Sequence, residues 1–290
     1  PKYLRLSALC VILSTVSNSV FGSSRTPLTM LPEARFIAVG NHRLFSLHYR
    51  AQQRPPRGTV VFVPALFEEQ NKCRRLCAEV GRALGRCGYD FLQVDLSGTG
   101  DSSGDLEPDS WRSWVAELAH VLQQYGPIEA TIVLTLRGGA LLLDGLADVS
   151  KRQFARIVVA QPMYSGEQTL QQLLRIRVMA SRFAGDTESA AELKAHFERG
   201  DGLELAGYWF DAMFARDLAA CRLDAKGLSI ALSAKLLEFR ASSPATISAP
   251  AKRLAKQAAT NGLSLNLKAV TSEQFWNSQE ISAPQEVVDA

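Results

Sequence analysis

Apolar runs typical of strands alternate with segments of helical spacing from about residue 34 onward. This alternation predicts a mostly parallel central sheet with helices on both faces. The first two strands are expected to pair antiparallel through a turn at Gly40 and Asn41. The predicted strands are 35–39, 44–50, 59–64, 91–95, 131–136, 155–161, 228–232, 236–240 and 263–270, and the predicted helices are 72–86, about 110–121, 140–146 and 252–261.

The strand pattern stops between residue 165 and about residue 225. Apolar residues there, such as Leu170, Leu173 and Val178, recur at helical spacing. This predicts an all-helical insertion between two strands, placed where a cap or lid would lie. Its arginines accompany an apolar face and indicate either a solvated charged face or a binding surface: Arg175, Arg177 and Arg182.

Composition limits the classes of function. The chain has 290 residues, of which 47% are apolar, enough for a sizeable core. Its 32 basic and 29 acidic residues give a net charge of +3, which argues against a nucleic-acid partner. Five cysteines, an odd number, fit reduced thiols. Cys73 and Cys77 could face a metal, but no further Cys or His pair is near, so we expect small buried residues, no metal and no cofactor.

The first 30 residues allow two interpretations. Lys2 and Arg5 precede an uncharged stretch, 6–24, whose apolar part is too short to span a bilayer but suits a signal peptide. Alternatively, the start is misassigned and the working protein begins near Met30. We therefore expect a tail at 1–30 and one domain at 31–290, cytoplasmic or else exported through that segment, with no stable membrane span.

An arginine stands where an α/β-hydrolase would carry its nucleophile. The strand 131–136, the turn Arg137-Gly138-Gly139 and the following helix form the setting of the G-x-S-x-G elbow. Arg137 occupies the serine position. A guanidinium cannot act as a nucleophile, but its planar donors suit a carboxylate or a phosphate. We expect Arg137 either to bind such a ligand or to form a salt bridge with Glu68, Glu69 or Asp95.

A base is also missing from its expected place. No histidine follows His196, and the loop after the last strand, 271–276, contains none. A Ser-His-acid mechanism is therefore not expected. An active hydrolase or acyltransferase with an atypical site remains the alternative, and the hydroxyls to test for it are those of Ser97, Ser102 and Ser165.

Polar residues crowd the loop after the strand 59–64, where an α/β-hydrolase forms its oxyanion hole. They indicate either a ligand site or a solvated loop that caps the next helix. The glycine-rich loop 95–102 lacks the spacing of a nucleotide-binding motif and is read as a tight turn. The candidate ligand-binding residues are Phe67, Glu68, Glu69, Asn71, Lys72, Gln161 and Trp276, beside Arg137.

An ordered series of motifs resembles the exosortase A system-associated hydrolase 2 family. It comprises 67–75, 93–105, Leu-Arg-Gly-Gly at 136–139, 161–168, 170–177, 206–208 and Phe-Trp at 275–276, so it covers roughly 31–281. The resemblance implies an α/β-hydrolase fold, a bacterial setting beside exosortase and exopolysaccharide genes, and an arginine in the elbow as the family pattern. The chain departs from that pattern at 64–66 and at Thr135, where the family has a second proline and a glycine.

These observations favour a protein of α/β-hydrolase fold with a helical cap that binds a ligand or assists envelope polysaccharide or protein-sorting machinery. The expected ligand is a small anion held between Arg137 and Lys72, with Trp276 as an apolar wall. An interaction scaffold that retains only the fold is the further alternative.

Overall fold

Eight strands form the central sheet in a computed structural model that describes residues 31–150, 153–185, 187–278 and 280–290. The signal-like stretch 6–24 and the start near Met30 lie outside the described residues. The strands of the molecule are β1 (Glu33–Val39), β2 (His42–Tyr49), β3 (Thr59–Val63), β4 (Asp90–Val94), β5 (Thr131–Leu136), β6 (Arg156–Ala160), β7 (Leu203–Leu205), β8 (Tyr208–Phe210), β9 (Ala234–Arg240) and β10 (Leu265–Thr271).

Helices follow most of the sheet strands. They are α1 (Glu68–Arg86), α2 (Ser110–Gln124), α3 (Leu142–Val149), α4 (Gly166–Ala184), α5 (Ala190–Arg199), α6 (Ala212–Ala220), α7 (Ala225–Leu228), α8 (Ala249–Thr260) and α9 (Gln285–Val288). Short 3-10 turns at Ile128–Ala130 and Arg137–Leu141 precede β5 and α3.

The sheet runs in the order β1-β2-β4-β3-β5-β6-β9-β10. Only β2 opposes its neighbours, and every other pair in the sheet beyond β2 is parallel. The mostly parallel sheet and the antiparallel first pair are therefore confirmed. All carboxyl ends of the parallel strands meet at one edge, which is where ligands collect in such sheets.

Both faces of the sheet are covered, as the continuous apolar strands require. In β3, Val61 and Val63 face a core shared with α2, α3 and the insertion, whereas Val60 and Phe62 face α1 and α9. A strand that is apolar on both faces must lie inside the fold, because exposing either face to water would cost free energy.

Two sequence expectations are wrong in detail. The segment 228–232 is not a strand, because the Asp224 side chain accepts hydrogen bonds from the backbone N–H groups of Lys226 and Gly227 and starts α7 instead. Ala231 forms an isolated parallel bridge with Phe154, which lies two residues before β6 begins.

The insertion is also not wholly helical. Between α5 and α6 it contains the hairpin β7–β8, which pairs with itself and not with the central sheet. Alternating Leu-Glu-Leu and Tyr-Trp-Phe flank a turn at Ala206 and Gly207, both with positive φ. Alternation over only three residues on each side is short for a sequence signal.

An aromatic cluster joins the insertion to the sheet edge. The ring of Phe67 lies 4.8 Å from that of Phe210 and 5.5 Å from that of Tyr208. Phe214 of α6 contacts Phe67 and Trp114 at 6.2 and 5.5 Å. Burial of these rings holds the insertion against the loop that carries Phe67.

Candidate functional site

The turn after β5 has the backbone of a strained elbow. Arg137 adopts a φ of 52°, a region that non-glycine residues rarely occupy. A Cβ on Gly139 would collide with the carbonyl oxygen of Pro64, so the helix start can approach β3 only with glycine there. The predicted strand is confirmed at 131–136, and Arg137 lies at its carboxyl end with its side chain 7% exposed.

Glu69 satisfies the guanidinium of Arg137. Nε and Nη2 of Arg137 donate to Oε2 and Oε1 of Glu69 at 3.0 and 2.8 Å, a bidentate pair. Nη1 donates to the carbonyl oxygen of Gln161 at 3.4 Å. The ring of Trp276 stacks with its centroid 4.8 Å from the guanidinium carbon. Of the two alternatives expected for Arg137, the structure contains the salt bridge, and its partner is Glu69.

Glu69 reaches this position because α1 begins earlier than the sequence indicated. The helix starts at Glu68 rather than near residue 72, so Glu68 and Glu69 form its first turn. Carboxylates are favoured at a helix N-terminus. Phe67, just before the helix, has a φ of 58°, a region that non-glycine residues rarely occupy.

A cleft of about 60 Å³ opens above the Arg137–Glu69 pair. One wall comes from the loop after β3 and the start of α1, a second from the loop after β10, and a third from α4. The lining residues are Leu66, Phe67, Glu68, Glu69, Lys72, Gly138, Met163, Thr169, Gln172, Leu173, Ile176, Trp276 and Asn277.

The structure brings most of the candidate residues together. Phe67, Glu68, Glu69, Lys72 and Trp276 line this cleft. Arg137 itself lies beneath it, behind the side chains of Glu69 and Trp276, which contact it.

Two candidates serve other contacts. The exposed Asn71 side chain accepts a hydrogen bond from Nε of Arg74 at 3.3 Å. Gln161 has a φ of 43°, and its side-chain oxygen accepts from the backbone N–H of Phe239 at 2.6 Å. Gln161 thus reaches the site only through its carbonyl group.

The cations of the cleft already have partners. Nζ of Lys72 lies 3.2 Å from Oε1 of Glu68, one helical turn away. With Arg137 bound to Glu69, two cations balance two carboxylates, so an anion entering the cleft must displace a carboxylate from its partner.

Two of the three hydroxyls considered for an atypical hydrolase form hydrogen bonds within the fold. Ser97 is 1% exposed, and its hydroxyl has no hydrogen-bond partner among the described residues. Oγ of Ser102 donates to the carbonyl of Asp95 at 2.6 Å, and Oγ of Ser165 accepts from the backbone N–H of Gln168 to cap α4. None of these three residues lines the cleft.

Asp95, the other candidate partner of Arg137, organises the glycine-rich loop instead. Its carboxylate accepts from Nε2 of Gln70 at 2.7 Å, Nη2 of Arg74 at 3.1 Å and the backbone N–H of Asp101 at 3.1 Å. This network supports the interpretation of the loop as a tight turn.

Eight lining residues of the cleft were not among the sequence candidates. Leu66, Gly138 and Asn277 adjoin segments that the sequence had singled out. The other five belong to the loop after β6 and to α4: Met163, Thr169, Gln172, Leu173 and Ile176. The only available signal was the position of this helix directly after a strand, since its own residues carry no distinctive chemistry.

Cys73 and Cys77 are buried on the inner side of α1. Burial raises the pKa of the Cys73 thiol to about 12 and that of Cys77 well above its ordinary value. Within the described ranges no cluster of three or more His, Cys, Asp or Glu could hold a metal ion. Nor does any helix in that part of the chain have the length and apolar character needed to cross a membrane.

Solved structures with the same architecture include several α/β-hydrolases. Est1E from Butyrivibrio proteoclasticus with bound ferulic acid is 13% identical, with a TM-score of 0.58 over 88% of this chain and 96% of that one. A soluble variant of monoglyceride lipase from Saccharomyces cerevisiae is 12% identical, with a TM-score of 0.52 over 88% and 95%. The thioesterase domain of the curacin biosynthetic pathway is 15% identical, with a TM-score of 0.50 over 83% and 93%.

The chain therefore has the α/β-hydrolase fold, as the sequence predicted. At these identities the likeness concerns the fold and not the reaction. No protein-family model and no curated protein sequence matches this chain.

Proposed function

We propose that this protein binds a small anionic ligand on an α/β-hydrolase fold without hydrolysing it, as an accessory protein of the exosortase-associated hydrolase 2 type in envelope polysaccharide or protein-sorting pathways. The observation that carries the proposal is the contact of Arg137 with Glu69 beneath Trp276. An arginine fork at the elbow offers donors for a planar carboxylate or a phosphate but no nucleophile.

Glu69 holds the place that the ligand would take. Its side chain is 22% exposed and stands on the first turn of a helix, so water can solvate its carboxylate after displacement. The anionic group of the ligand then pairs with Arg137. Lys72, on the same helix as Glu69, supplies a second cation to the cleft, and Trp276 supplies the apolar wall.

Two substitutions test this exchange because they change affinity in opposite directions. A thermal-shift and calorimetric screen of carboxylated and phosphorylated envelope metabolites first identifies a ligand. Arg137→Met then weakens binding by roughly 2 to 5 kcal/mol, since a desolvated charged contact is lost. Glu69→Gln strengthens binding, because the internal competitor loses its charge.

Arg75→Met is the matched control, as Arg75 is an exposed residue of α1 outside the cleft. Undiminished binding by Arg137→Met, or weaker binding by Glu69→Gln, contradicts the exchange.

Absence of hydrolysis is tested with a fluorophosphonate probe. The purified protein stays unlabelled, because arginine occupies the nucleophile position and the candidate serines lie outside the cleft. Stoichiometric labelling of any serine contradicts the non-hydrolytic function. The pathway is tested by deleting the gene in its bacterial host, where unchanged surface polysaccharide and unchanged protein sorting exclude the accessory function.

A further inference from the structure

Part of the solvent-facing side of α4 is an apolar stripe. Ile176, Met179 and Phe183 are 45%, 52% and 87% exposed, and their spacing of three and four residues places them on one face of the helix. The opposite face buries Leu174 and Val178 in the core. A helix at a protein surface normally turns polar residues outward, so an outward apolar stripe indicates a binding surface.

Arginines flank this stripe. Arg175 and Arg182 are seven residues apart on the same side of α4 and are exposed, and within the described ranges neither forms an ion pair. Arg177 differs, because Glu188 holds it at 2.6 Å. The single acidic residue of α4, Glu167, lies in the first turn and pairs with Lys194 at 3.8 Å.

We propose that this face of α4 docks on a membrane surface that contains anionic lipids. The helix would lie parallel to the bilayer, with Ile176, Met179 and Phe183 at the boundary between headgroups and acyl chains. Arg175 and Arg182 would contact lipid phosphates. The apolar stripe complements the acyl boundary of such a membrane. The arginines at its edge, which form no ion pair among the described residues, complement the anionic headgroups.

Docking places the cleft at the membrane surface. Ile176 belongs both to the stripe and to the cleft wall, so the bound face borders the cleft entrance. The proposal does not require the ligand-binding function, because it depends on the outer face of α4 alone.

Vesicle co-sedimentation of the full chain tests the proposal. Vesicles of phosphatidylcholine and phosphatidylglycerol in equal parts bind the protein, and vesicles of phosphatidylcholine alone bind it much less. Phe183→Ser lowers the partition coefficient by about 10- to 100-fold, the equivalent of removing one exposed phenylalanine from the acyl boundary. Arg175→Gln with Arg182→Gln lowers it by about 30-fold, at one contact per arginine.

Two control variants lie elsewhere on the surface. Leu232 is 66% exposed and bonds through its backbone to Phe154, at the amino ends of the strands and away from the insertion. Arg253 is exposed on α8. Leu232→Ser and Arg253→Gln leave the partition coefficient unchanged, and equal thermal unfolding of all variants shows that the fold is retained.

Three outcomes overturn the proposal. The first is no binding to the anionic vesicles. The second is binding that Phe183→Ser does not weaken. The third is a concentration-dependent dimer that Phe183→Ser abolishes, measured by sedimentation velocity without lipid, which would assign the stripe to a second copy of the chain.

Discussion

Replacing Arg137 and replacing Glu69 should lower the free energy of unfolding by unequal amounts. The Arg137 side chain is 7% exposed and that of Glu69 is 22% exposed. Glu69→Met leaves the buried guanidinium, among the described residues, with the carbonyl of Gln161 at 3.4 Å and the ring of Trp276. An uncompensated buried charge costs about 3 to 5 kcal/mol, and partial access of water favours the lower end, about 3 kcal/mol.

Arg137→Met should cost less, about 1 kcal/mol, the size of a lost cation–π contact. The Glu69 carboxylate then turns to water at a helix N-terminus, where it is favoured. The double variant removes both charges and also costs about 1 kcal/mol. The coupling free energy is therefore about 3 kcal/mol, well above the value for an exposed pair.

Urea unfolding at neutral pH measures all three variants through their free energies of unfolding. The control cycle uses Glu68→Met and Lys72→Met, an exposed pair one turn apart on the same helix, for which coupling of about 0.3 to 0.5 kcal/mol is expected. The reasoning that one carboxylate satisfies a buried charge is refuted by either of two results. One is an equal loss of unfolding free energy in the two single variants at Arg137 and Glu69. The other is a double-variant loss that equals the sum of the single losses within about 0.5 kcal/mol.

Three further predictions concern stability. Thr135→Val raises the free energy of unfolding by about 1 kcal/mol, because the buried Thr135 hydroxyl has no hydrogen-bond partner among the described residues. Thr131→Val lowers the free energy of unfolding, since the Thr131 hydroxyl donates a hydrogen bond to the carbonyl of Pro127 at 2.9 Å. Gly139→Ala destabilises by more than about 2 kcal/mol in urea, through collision with the Pro64 carbonyl; a smaller loss means that the turn can move. Burial and nearby cations lower the pKa of Lys235 from 10.5 to about 8. Between these two pH values the unfolded protein binds more protons than the folded protein, so the free energy of unfolding rises with pH across that window. Lys235→Met removes this rise, measured by urea unfolding at several pH values.

Local pattern was sufficient for the elements that bury both faces. The segments that form β3 and β5 are apolar at nearly every position, which is typical of central strands buried on both faces. The structure has β5 at the predicted residues. Short elements carried less information. The hairpin β7–β8 consists of two three-residue strands, and α7 begins at a single aspartate cap. Both are weak signals in a sequence.

The sequence by itself determined the fold class, the place of Arg137 at the end of β5 and a short set of carboxylates that could meet it. Tertiary structure decided which carboxylate does so: Glu69 and not Asp95, because α1 starts at Glu68 and Asp95 is bound by Gln70 and Arg74. Tertiary structure also brought α4 over the cleft and turned an apolar stripe outward. Both results depend on contacts between segments far apart in the chain, whose geometry is fixed only when the layers pack together.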